Sequence, residues 1–154
     1  MEIKSNIIEL HIFRRRKNKS GVEYLLLKRA PEEIYPFLWQ MVSGGIHETE
    51  TAISAAKREL KEETGLKYSK MWVVPLVNSF YNPADDTVNM IPVFVCEVDK
   101  NSKVKISAEH TEYIWVEYKD AKKLLAWQGQ RNALKIIQRY FTNKDERLKY
   151  VEVS

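Results

Sequence analysis

The segment 44–66, GGIHETETAISAAKRELKEETGL, places three glutamates, Glu59, Glu62 and Glu63, within five positions of one another. Its composition predicts a helix over Thr51–Thr64, with Gly65 as a good C-terminal stop. At about 100° per residue, the three carboxylates fall within an arc of about 100° on that helix. The spacing therefore predicts a helix with one acidic edge.

This acidic edge needs an electrostatic explanation. Like charges three or four residues apart on a helix repel by roughly a few tenths of a kcal/mol per pair, and the helix dipole disfavours anions near its C-terminal end. A hard divalent cation reverses both effects, since Mg²⁺ takes oxygen ligands and is held by carboxylates together with substrate phosphates. The alternative is a solvated acidic face, softened by the neighbouring cations Lys57, Arg58 and Lys61.

The residues around the helix favour the metal site. Gly44 is followed by five residues and Glu50, then by seven residues and the run Arg58-Glu59-Leu60-x-Glu62-Glu63-x-Gly65-Leu66. This pattern resembles the Nudix box at all its fixed positions and spacings. Many relatives have glycine immediately before the position of Glu50, where this chain has Thr49, but that position is free in the box. We therefore identify the chain, from this resemblance, as a member of the Nudix hydrolase family.

The resemblance implies a fold, a cofactor and a set of site residues. The expected fold is α/β: the Nudix α/β/α sandwich, with a mixed β-sheet between helices. The box is expected to hold Mg²⁺, with Mn²⁺ as a substitute, against a pyrophosphate. The implied metal-binding or water-activating carboxylates are Glu59, Glu62 and Glu63. Arg58 is expected to orient Glu59, and the backbone carbonyl of Ser43 is expected to be a further metal ligand.

Three other residues have roles that the resemblance implies less directly. Gly44 is expected to let the backbone approach the metal, whereas Glu50 is expected to brace the loop rather than bind the metal. Nudix enzymes commonly add a carboxylate from a loop across the sheet. Glu109, in SAEHTEYIWV, is favoured for this catalytic and metal-binding role, and Glu112 is the alternative.

Shorter stretches resemble particular Nudix subgroups. EYLLLKRAP, FLWQMVSGG, AEHTEYIWV and AWQGQRNAL resemble the subgroup that includes bacterial dATP pyrophosphohydrolases acting on dihydroneopterin triphosphate, whereas IFRRRKNKSGVEYLLL also resembles small diadenosine tetraphosphate hydrolases. The first resemblance implies hydrolysis of a (d)NTP to a (d)NMP and pyrophosphate. A diadenosine tetraphosphate hydrolase and a non-catalytic nucleotide-sensing module are the alternatives, and the complete set of carboxylates argues against the sensor.

Residues outside the box are assigned with competing interpretations. Trp39 and Tyr81 are candidates to stack on a substrate base, against ordinary packing, and Arg29 is the third residue assigned to substrate binding. The three histidines, His11, His47 and His110, show no zinc-ligand spacing and are expected not to bind metal. The basic turn at residues 14–17 is expected to be a solvated loop, with attraction of phosphates as the alternative.

The composition limits the classes of partner. A chain of 154 residues with 44% hydrophobic and 30% charged residues predicts one soluble domain spanning residues 1–154. A net charge of +4 is compatible with an anionic small molecule but is too small for a nucleic-acid-binding tail. Neither a nucleic acid nor a membrane is expected as a partner, and the protein is expected to be a cytoplasmic monomer or homodimer. Cys96 is expected to be a buried strand thiol.

Strands and helices must alternate to position these residues. The predicted strands are Ile7–Phe13, Val22–Lys28, Trp39–Val42, Met71–Tyr81, Val88–Val98 and Tyr113–Val116. The first two are expected to form a hairpin, and Gly44 and Gly45 are expected to break the third. Two further helices are predicted, Lys119–Leu125 and Gln128–Phe141. On the Thr51–Thr64 helix, the buried stripe is expected to consist of Ile53, Ala56 and Leu60.

Overall fold

The computed structural model describes residues 1–154. The strands are β1 (Glu2–Lys4), β2 (Ile7–Arg15), β3 (Val22–Arg29), β4 (Trp39–Gln40), β5 (Val42–Gly45), β6 (Tyr68–Asn82), β7 (Thr87–Val98) and β8 (His110–Val116). The helices are α1 (Ala52–Thr64), α2 (Tyr118–Leu124) and α3 (Gln128–Ile136). A π-helical turn, Ile137–Phe141, continues α3, and a short 3₁₀ helix, Glu146–Tyr150, follows in the tail.

All eight strands form one mixed sheet. Strand β2 pairs antiparallel with β3 and β5 but parallel with β7. Strand β7 also pairs parallel with β1 and antiparallel with the long strand β6, while β3 pairs antiparallel with β4 and β8. The predicted β2–β3 hairpin and the predicted mixed sheet are confirmed.

Two apolar cores lie on opposite faces of this sheet. Ile8, Leu10 and Ile12 of β2 pack in the core beneath α1, whereas Phe13 belongs to the core beneath α2 and α3. This division follows from the alternation of side chains along a strand. The predicted α/β/α layering is therefore confirmed. Cys96 lies in the core on the α1 side as a free, fully buried thiol.

Helix α1 has the predicted ends. The Thr51 hydroxyl accepts the Ser54 backbone N–H at 3.1 Å, which satisfies one free donor of the first turn. Gly65 ends the helix with a φ of 68°, in the left-handed region where glycine has no Cβ penalty. The predicted apolar stripe is wrong in one residue, because Ile53 is 37% exposed. The helix instead turns Glu59 and Glu63 toward the sheet, beside buried alanines and Leu60.

The loop regions differ from the prediction in two places. Gly44 and Gly45 do not break a strand: they form the end of β5 and pair with Ile8 and Ile7 of β2. Strand β8 begins at His110 rather than Tyr113, because its register with β3 continues around a bulge at Arg29. Every helix in the structure is too short or too polar to cross a membrane.

Candidate active site

Gly44 brings helix α1 against strand β5. A Cβ atom built on Gly44 would collide with the carboxylate group and Cγ of Glu59, whereas one built on Gly45 would meet nothing nearer than the Asn6 carbonyl oxygen, at 3.8 Å. Lack of space for a Cβ atom therefore explains the glycine at position 44. Backbone conformation does not explain it, because the φ of Gly44 lies outside the left-handed region. The Glu59 carboxylate occupies the room that the missing side chain leaves.

Arg58 joins the helix to the preceding loop. Its guanidinium donates two hydrogen bonds to Glu50, from Nη2 to Oε1 at 2.5 Å and from Nε to Oε2 at 3.1 Å. Nη2 also donates to the Gly45 carbonyl oxygen at 2.7 Å, and Nη1 donates to Glu59 Oε1 at 2.6 Å and Glu62 Oε2 at 3.1 Å. The hydrogen bonding of Arg58 to Glu50 is the largest cause that lowers the pKa of Glu50 to about 2. Glu50 therefore stays ionised, in the geometry expected of a residue that braces the loop.

Glu63 is the most buried carboxylate of α1. The residue is 2% exposed, and its Oε2 atom has no hydrogen-bond partner. Burial raises its pKa to about 9, with further contributions from the Glu59 charge and from Glu109, while the Ser43 backbone N–H acts in the opposite direction. Burial also raises the pKa of Glu59, and Arg58 limits that rise. Arg58 bonds to Glu59 and Glu62 in this group of acids, whereas Glu63 Oε2 has no partner.

The two candidates for the extra carboxylate lie in different places. Glu109 lines the same cavity as Glu59, and its backbone oxygen accepts the Ala30 N–H at 2.9 Å. Glu112 is exposed on β8 and pairs with Lys28 at 2.9 Å. The geometry therefore favours Glu109, and its catalytic role remains a prediction.

His110 joins this acidic group although the sequence analysis expected no histidine to do so. One ligand atom from each of Glu63, Glu109 and His110 lies within 4.8 Å of the other two. The imidazole is buried, its Nδ1 atom has no partner, and its Nε2 atom lies 3.2 Å from Gln40 Nε2. Zinc-ligand spacing is no guide here, because His110, the first residue of β8, directly follows Glu109 in the chain.

The carboxylates open onto a cavity of about 290 Å³. Its lining residues are Ile7, Arg29, Glu33, Ser43, Gly44, Gly45, Glu59 and Glu109. Arg29 is the single cation among them, and its Nε atom donates to the Ile34 carbonyl oxygen at 2.5 Å. Three acids and one cation thus surround the opening, an arrangement that favours a bound cation together with an anionic ligand.

The structure does not bring Trp39 or Tyr81 to this cavity. Trp39 is half-buried on β4 and packs against the core beneath α2 and α3. Tyr81 is exposed on β6, where its hydroxyl donates to Asp86 Oδ1 at 3.0 Å. Of the three residues assigned to substrate binding, only Arg29 lines the cavity.

A further acid, Glu9, was missed by the sequence analysis. It is buried on the α3 side of the sheet and accepts a hydrogen bond from Asn78 Nδ2 at 2.8 Å. Burial raises its pKa to about 7, against the effect of Asn78. Gly129 of α3 lies directly against Asn78, where a Cβ atom would collide with the amide. A single acid in an apolar strand gives no spacing from which to predict this arrangement.

The donor set suits a hard divalent cation. Carboxylate oxygens from α1 and from the start of β8 converge, and two buried atoms, Glu63 Oε2 and His110 Nδ1, lack partners. Buried polar groups without partners are rare, so these two atoms are candidate ligands of a metal ion. Mg²⁺ and Mn²⁺ prefer such oxygen-rich sites.

The sequence comparisons establish the family. The NUDIX domain family matches residues 10–139, and the chain belongs to this family. It is 30% identical over 107 residues to the nucleoside triphosphatase NudI of Klebsiella pneumoniae strain 342, which covers 64% of this chain and 76% of that relative. It is also 34% identical over 118 residues to an octanoyltransferase of Myxococcus xanthus, covering 72% of this chain but spanning only 31% of that relative.

Solved structures share the fold. A Listeria monocytogenes NUDIX hydrolase matches with a TM-score of 0.74 and 25% identity, over 91% of this chain and 96% of that one. A C. elegans Ap4A hydrolase matches with a TM-score of 0.73 and 22% identity, over 89% and 97%. The E. coli dihydroneopterin triphosphate pyrophosphohydrolase matches with a TM-score of 0.67 and 22% identity, over 86% and 94%. With the family and the intact box, the chain is a Nudix hydrolase, as the sequence predicted.

Proposed function

We propose that this enzyme hydrolyses a nucleoside triphosphate to a nucleoside monophosphate and pyrophosphate, with Mg²⁺ or Mn²⁺ as cofactor. The observation on which this depends is the convergence of Glu63, Glu109 and His110, in which the buried Glu63 Oε2 has no hydrogen-bond partner. The cavity beside it contains Arg29, which suits a phosphate chain. NudI, a nucleoside triphosphatase, supports this choice of substrate.

Four carboxylates are proposed to hold the divalent cation. Glu59, Glu63 and Glu109 lie on the inner side of this site, and the Ser43 carbonyl is proposed as a further ligand because Ser43 lines the same cavity as Glu59 and Glu109. Glu62, exposed and bonded to Arg58, lies on the outer side. When bound, the cation neutralises phosphate charge and lowers the pKa of a coordinated water.

Arg58 is a positioning residue in this proposal. It fixes one oxygen of Glu59 at 2.6 Å, while its bonds to Glu50 and Gly45 tie the helix to the loop. Glu59 therefore meets the cation with one oxygen already oriented, which lowers the entropic cost of assembling the site.

Glu109 is proposed as the group that takes the proton from the attacking water. It is exposed and borders the cavity, so a water molecule can reach its carboxylate. The water attacks phosphorus directly, the bond to the departing phosphate breaks, and no covalent enzyme intermediate forms. Arg29 is proposed to hold the phosphates beside this point.

Dinucleoside tetraphosphates are a second candidate class of substrate. The C. elegans Ap4A hydrolase shares the fold at a TM-score of 0.73, and a dinucleoside tetraphosphate offers the same phosphoanhydride bonds. The difference lies in the products, since diadenosine tetraphosphate gives ATP and AMP whereas dATP gives dAMP and pyrophosphate.

The test is a panel of the common (d)NTPs, dihydroneopterin triphosphate and diadenosine tetraphosphate with Mg²⁺, with products separated by chromatography. We expect monophosphate and pyrophosphate from a triphosphate, and no products in the presence of chelator. Stepwise release of orthophosphate contradicts the proposal. A strong preference for diadenosine tetraphosphate favours the second substrate class instead, and turnover of none of these compounds favours a nucleotide-sensing module.

A matched pair of variants tests the proton acceptor. We expect Glu109→Gln to lower turnover by at least about tenfold, because a positioned general base contributes about 10²–10⁴ to the rate. Glu112→Gln, three residues further along the chain on β8, is the control and is expected to retain wild-type turnover. The assignment is wrong if Glu109→Gln keeps wild-type turnover across Mg²⁺ concentrations.

A further inference from the structure

The loop between β3 and β4 exposes large apolar side chains beside the cavity. Ile34, Tyr35 and Phe37 are 72%, 58% and 56% exposed, and Trp127, at the start of α3, is 50% exposed. The rings of Tyr35 and Trp127 meet edge to face, with centroids 5.4 Å apart and planes at 71°. Burial does not account for this pair, because both rings keep about half of their surface in solvent.

The loop is also held in an unfavourable backbone conformation. Tyr35 and Phe37 have φ values of 54° and 68°, in the left-handed region that residues with a Cβ rarely adopt. Such strain persists where surrounding bonds enforce it and is common at ligand-binding sites. Here the enforcing residue is Arg29, which donates to the Ile34 carbonyl oxygen, accepts the Phe37 N–H at 3.0 Å and donates its own N–H to Leu38 at 3.0 Å.

The aromatic pair is connected to the cavity on the Tyr35 side. Glu33 lines the cavity and lies two residues before Tyr35, so their Cα atoms are at most about 7 Å apart. Arg29, which fixes the loop, lines the same cavity. Arg29, at the end of β3, thus places a cation at the cavity, and the loop that follows places the Tyr35 ring next to it.

The pair is connected to the cavity on the Trp127 side as well. Gly129, two residues after Trp127, lies against Asn78, which is hydrogen-bonded to Glu9. Glu9 pairs across the sheet with Ser43, a residue of the cavity lining. Tyr35 and Trp127 therefore meet where the β3–β4 loop and the start of α3 approach each other.

We propose that Tyr35 and Trp127 form a stacking platform for the heterocyclic base of a nucleotide whose phosphates lie in the acidic cavity. This inference rests on the proposed function. It places base recognition at Tyr35 and Trp127 rather than at Trp39 and Tyr81. A base suits the platform because aromatic faces stack on any base, and Arg29 links the platform to the phosphate end of the ligand.

The platform predicts broad base tolerance. Stacking depends on a π face rather than on particular hydrogen-bond donors and acceptors, so purine and pteridine rings are both accepted. Removing one ring weakens binding without touching the carboxylates, so KM changes and turnover does not.

The test compares Tyr35→Ala and Trp127→Ala with the control Tyr150→Ala, which removes a 77% exposed aromatic ring from the C-terminal tail. We expect each platform variant to raise KM for dATP by about 5- to 100-fold, from the stacking contribution of one base, with kcat within about twofold. The inhibition constant of inorganic tripolyphosphate, which has phosphates but no base, is expected to stay at the wild-type value. Trp127→Phe, which keeps an aromatic face, is expected to restore most of the affinity.

Binding can be followed independently of hydrolysis. Titration of the wild-type protein with dAMP is expected to quench tryptophan fluorescence, and Trp127→Phe is expected to lose this change. Wild-type KM for dATP in both alanine variants, or an equal loss of tripolyphosphate inhibition, overturns the platform while leaving the proposed function in place. A wild-type enzyme that hydrolyses no nucleotide overturns the proposed function, and the fluorescence titration then decides the platform alone: no Trp127-dependent quenching means no stacking.

Discussion

Strand β2 runs between two cavities of opposite character. Its first residue, Ile7, lines the cavity that contains Glu59 and Glu109, and its last residue, Arg15, lines a second cavity of about 490 Å³. Eight residue steps separate Ile7 and Arg15, so at about 3.3 Å per residue the two cavities are roughly 26 Å apart along the sheet. The cavity beside Arg15 is the larger, yet it is not the one with the features of an active site.

The difference lies in how the charges are balanced. The larger cavity contains as many cations as acids; its charged residues are Arg15, Lys70, Lys144, Lys149, Glu97, Asp145, Glu146 and Glu152. Arg15 donates to Glu97 at 2.9 Å and to the Thr142 carbonyl oxygen at 2.7 Å. The smaller cavity has one cation for three acids, with Glu63 buried behind it. Uncompensated charge, rather than volume, therefore distinguishes the active site.

The largest contrast is expected from removing one carboxylate charge at each end. Glu63→Gln or Glu59→Gln should lower turnover by at least about 100-fold, because electrostatic groups at a transition state contribute several kcal/mol. Glu97→Gln, in the larger cavity, is the control and should stay within about twofold of wild type. Steady-state kinetics with saturating Mg²⁺ measures this, and near-normal turnover of Glu63→Gln removes that residue from the mechanism.

A second test adds a side-chain atom instead of removing a charge. Gly44→Ala puts a Cβ atom into the Glu59 carboxylate, so Glu59 must move away from its bond with Arg58. We expect turnover to fall by about tenfold or more and stability to fall by about 1–3 kcal/mol, the usual cost of overpacking. Gly45→Ala is the matched control, since its Cβ atom has 3.8 Å of clearance. Equal activity of the two variants would show that the position of Glu59 is not critical.

The sequence predicted the elements better than the arrangement of the site. Helical composition and the Gly65 stop predicted α1 and its ends, and the spacing of the glutamates predicted its acidic edge, because these signals are local. It could not give the burial of Glu63 or the exposure of Ile53, since both depend on how far α1 rotates against the sheet. Gly44 was expected to break a strand, but its function is to leave room for Glu59 from another element.

Residues from distant segments were the hardest to predict. Glu109 was found through its resemblance to a subgroup pattern, whereas His110, its neighbour, was excluded for lack of zinc spacing. Trp39 and Tyr81 were chosen because aromatic faces stack on bases, but only the fold shows that Tyr35 and Trp127 meet. Contacts between a loop and a helix start some ninety residues apart have no local pattern.

The pH dependence of stability distinguishes the two ends without measuring catalysis. The pKa of Glu63 rises from 4.5 to about 9 on folding, so between these values the folded protein binds more protons than the unfolded chain. Glu63 therefore makes the free energy of unfolding of the cation-free protein decrease as pH rises, by at most about 1.4 kcal/mol per pH unit for one proton. Glu9, with a pKa of about 7, contributes the same trend between pH 4.5 and 7. Burial lowers the pKa of His11 to about 3, so this histidine acts in the opposite direction below pH 6.5 and leaves the trend above pH 7 to Glu63.

Glu63→Gln should therefore flatten the dependence of the free energy of unfolding on pH above pH 7. It should leave the contribution of Glu9, which lies below pH 7, unchanged. Urea unfolding in chelator at several pH values measures both. Asp145, in the larger cavity, has a pKa lowered to about 2 by Arg147, so Asp145→Asn is the control and should not change the slope between pH 5 and 9. A wild-type free energy of unfolding that rises with pH between pH 7 and 9 contradicts the shift assigned to Glu63.

The smallest expected effect comes from the larger cavity itself. Arg15→Ala removes the ion pair with Glu97 and the bond to the Thr142 carbonyl oxygen, both of them only partly buried. The free energy of unfolding should fall by about 0.5–1.5 kcal/mol, the usual contribution of one such hydrogen bond with a weak ion pair. For a chain of this size that corresponds to a decrease in Tm of roughly 1–6 °C. Because nothing in this cavity contacts the carboxylates of α1, kcat/KM should stay within about twofold of wild type when measured well below the Tm. A tenfold loss of kcat/KM at unchanged stability would show instead that the two ends of β2 are coupled, and that charge balance alone does not separate the active cavity from the inactive one.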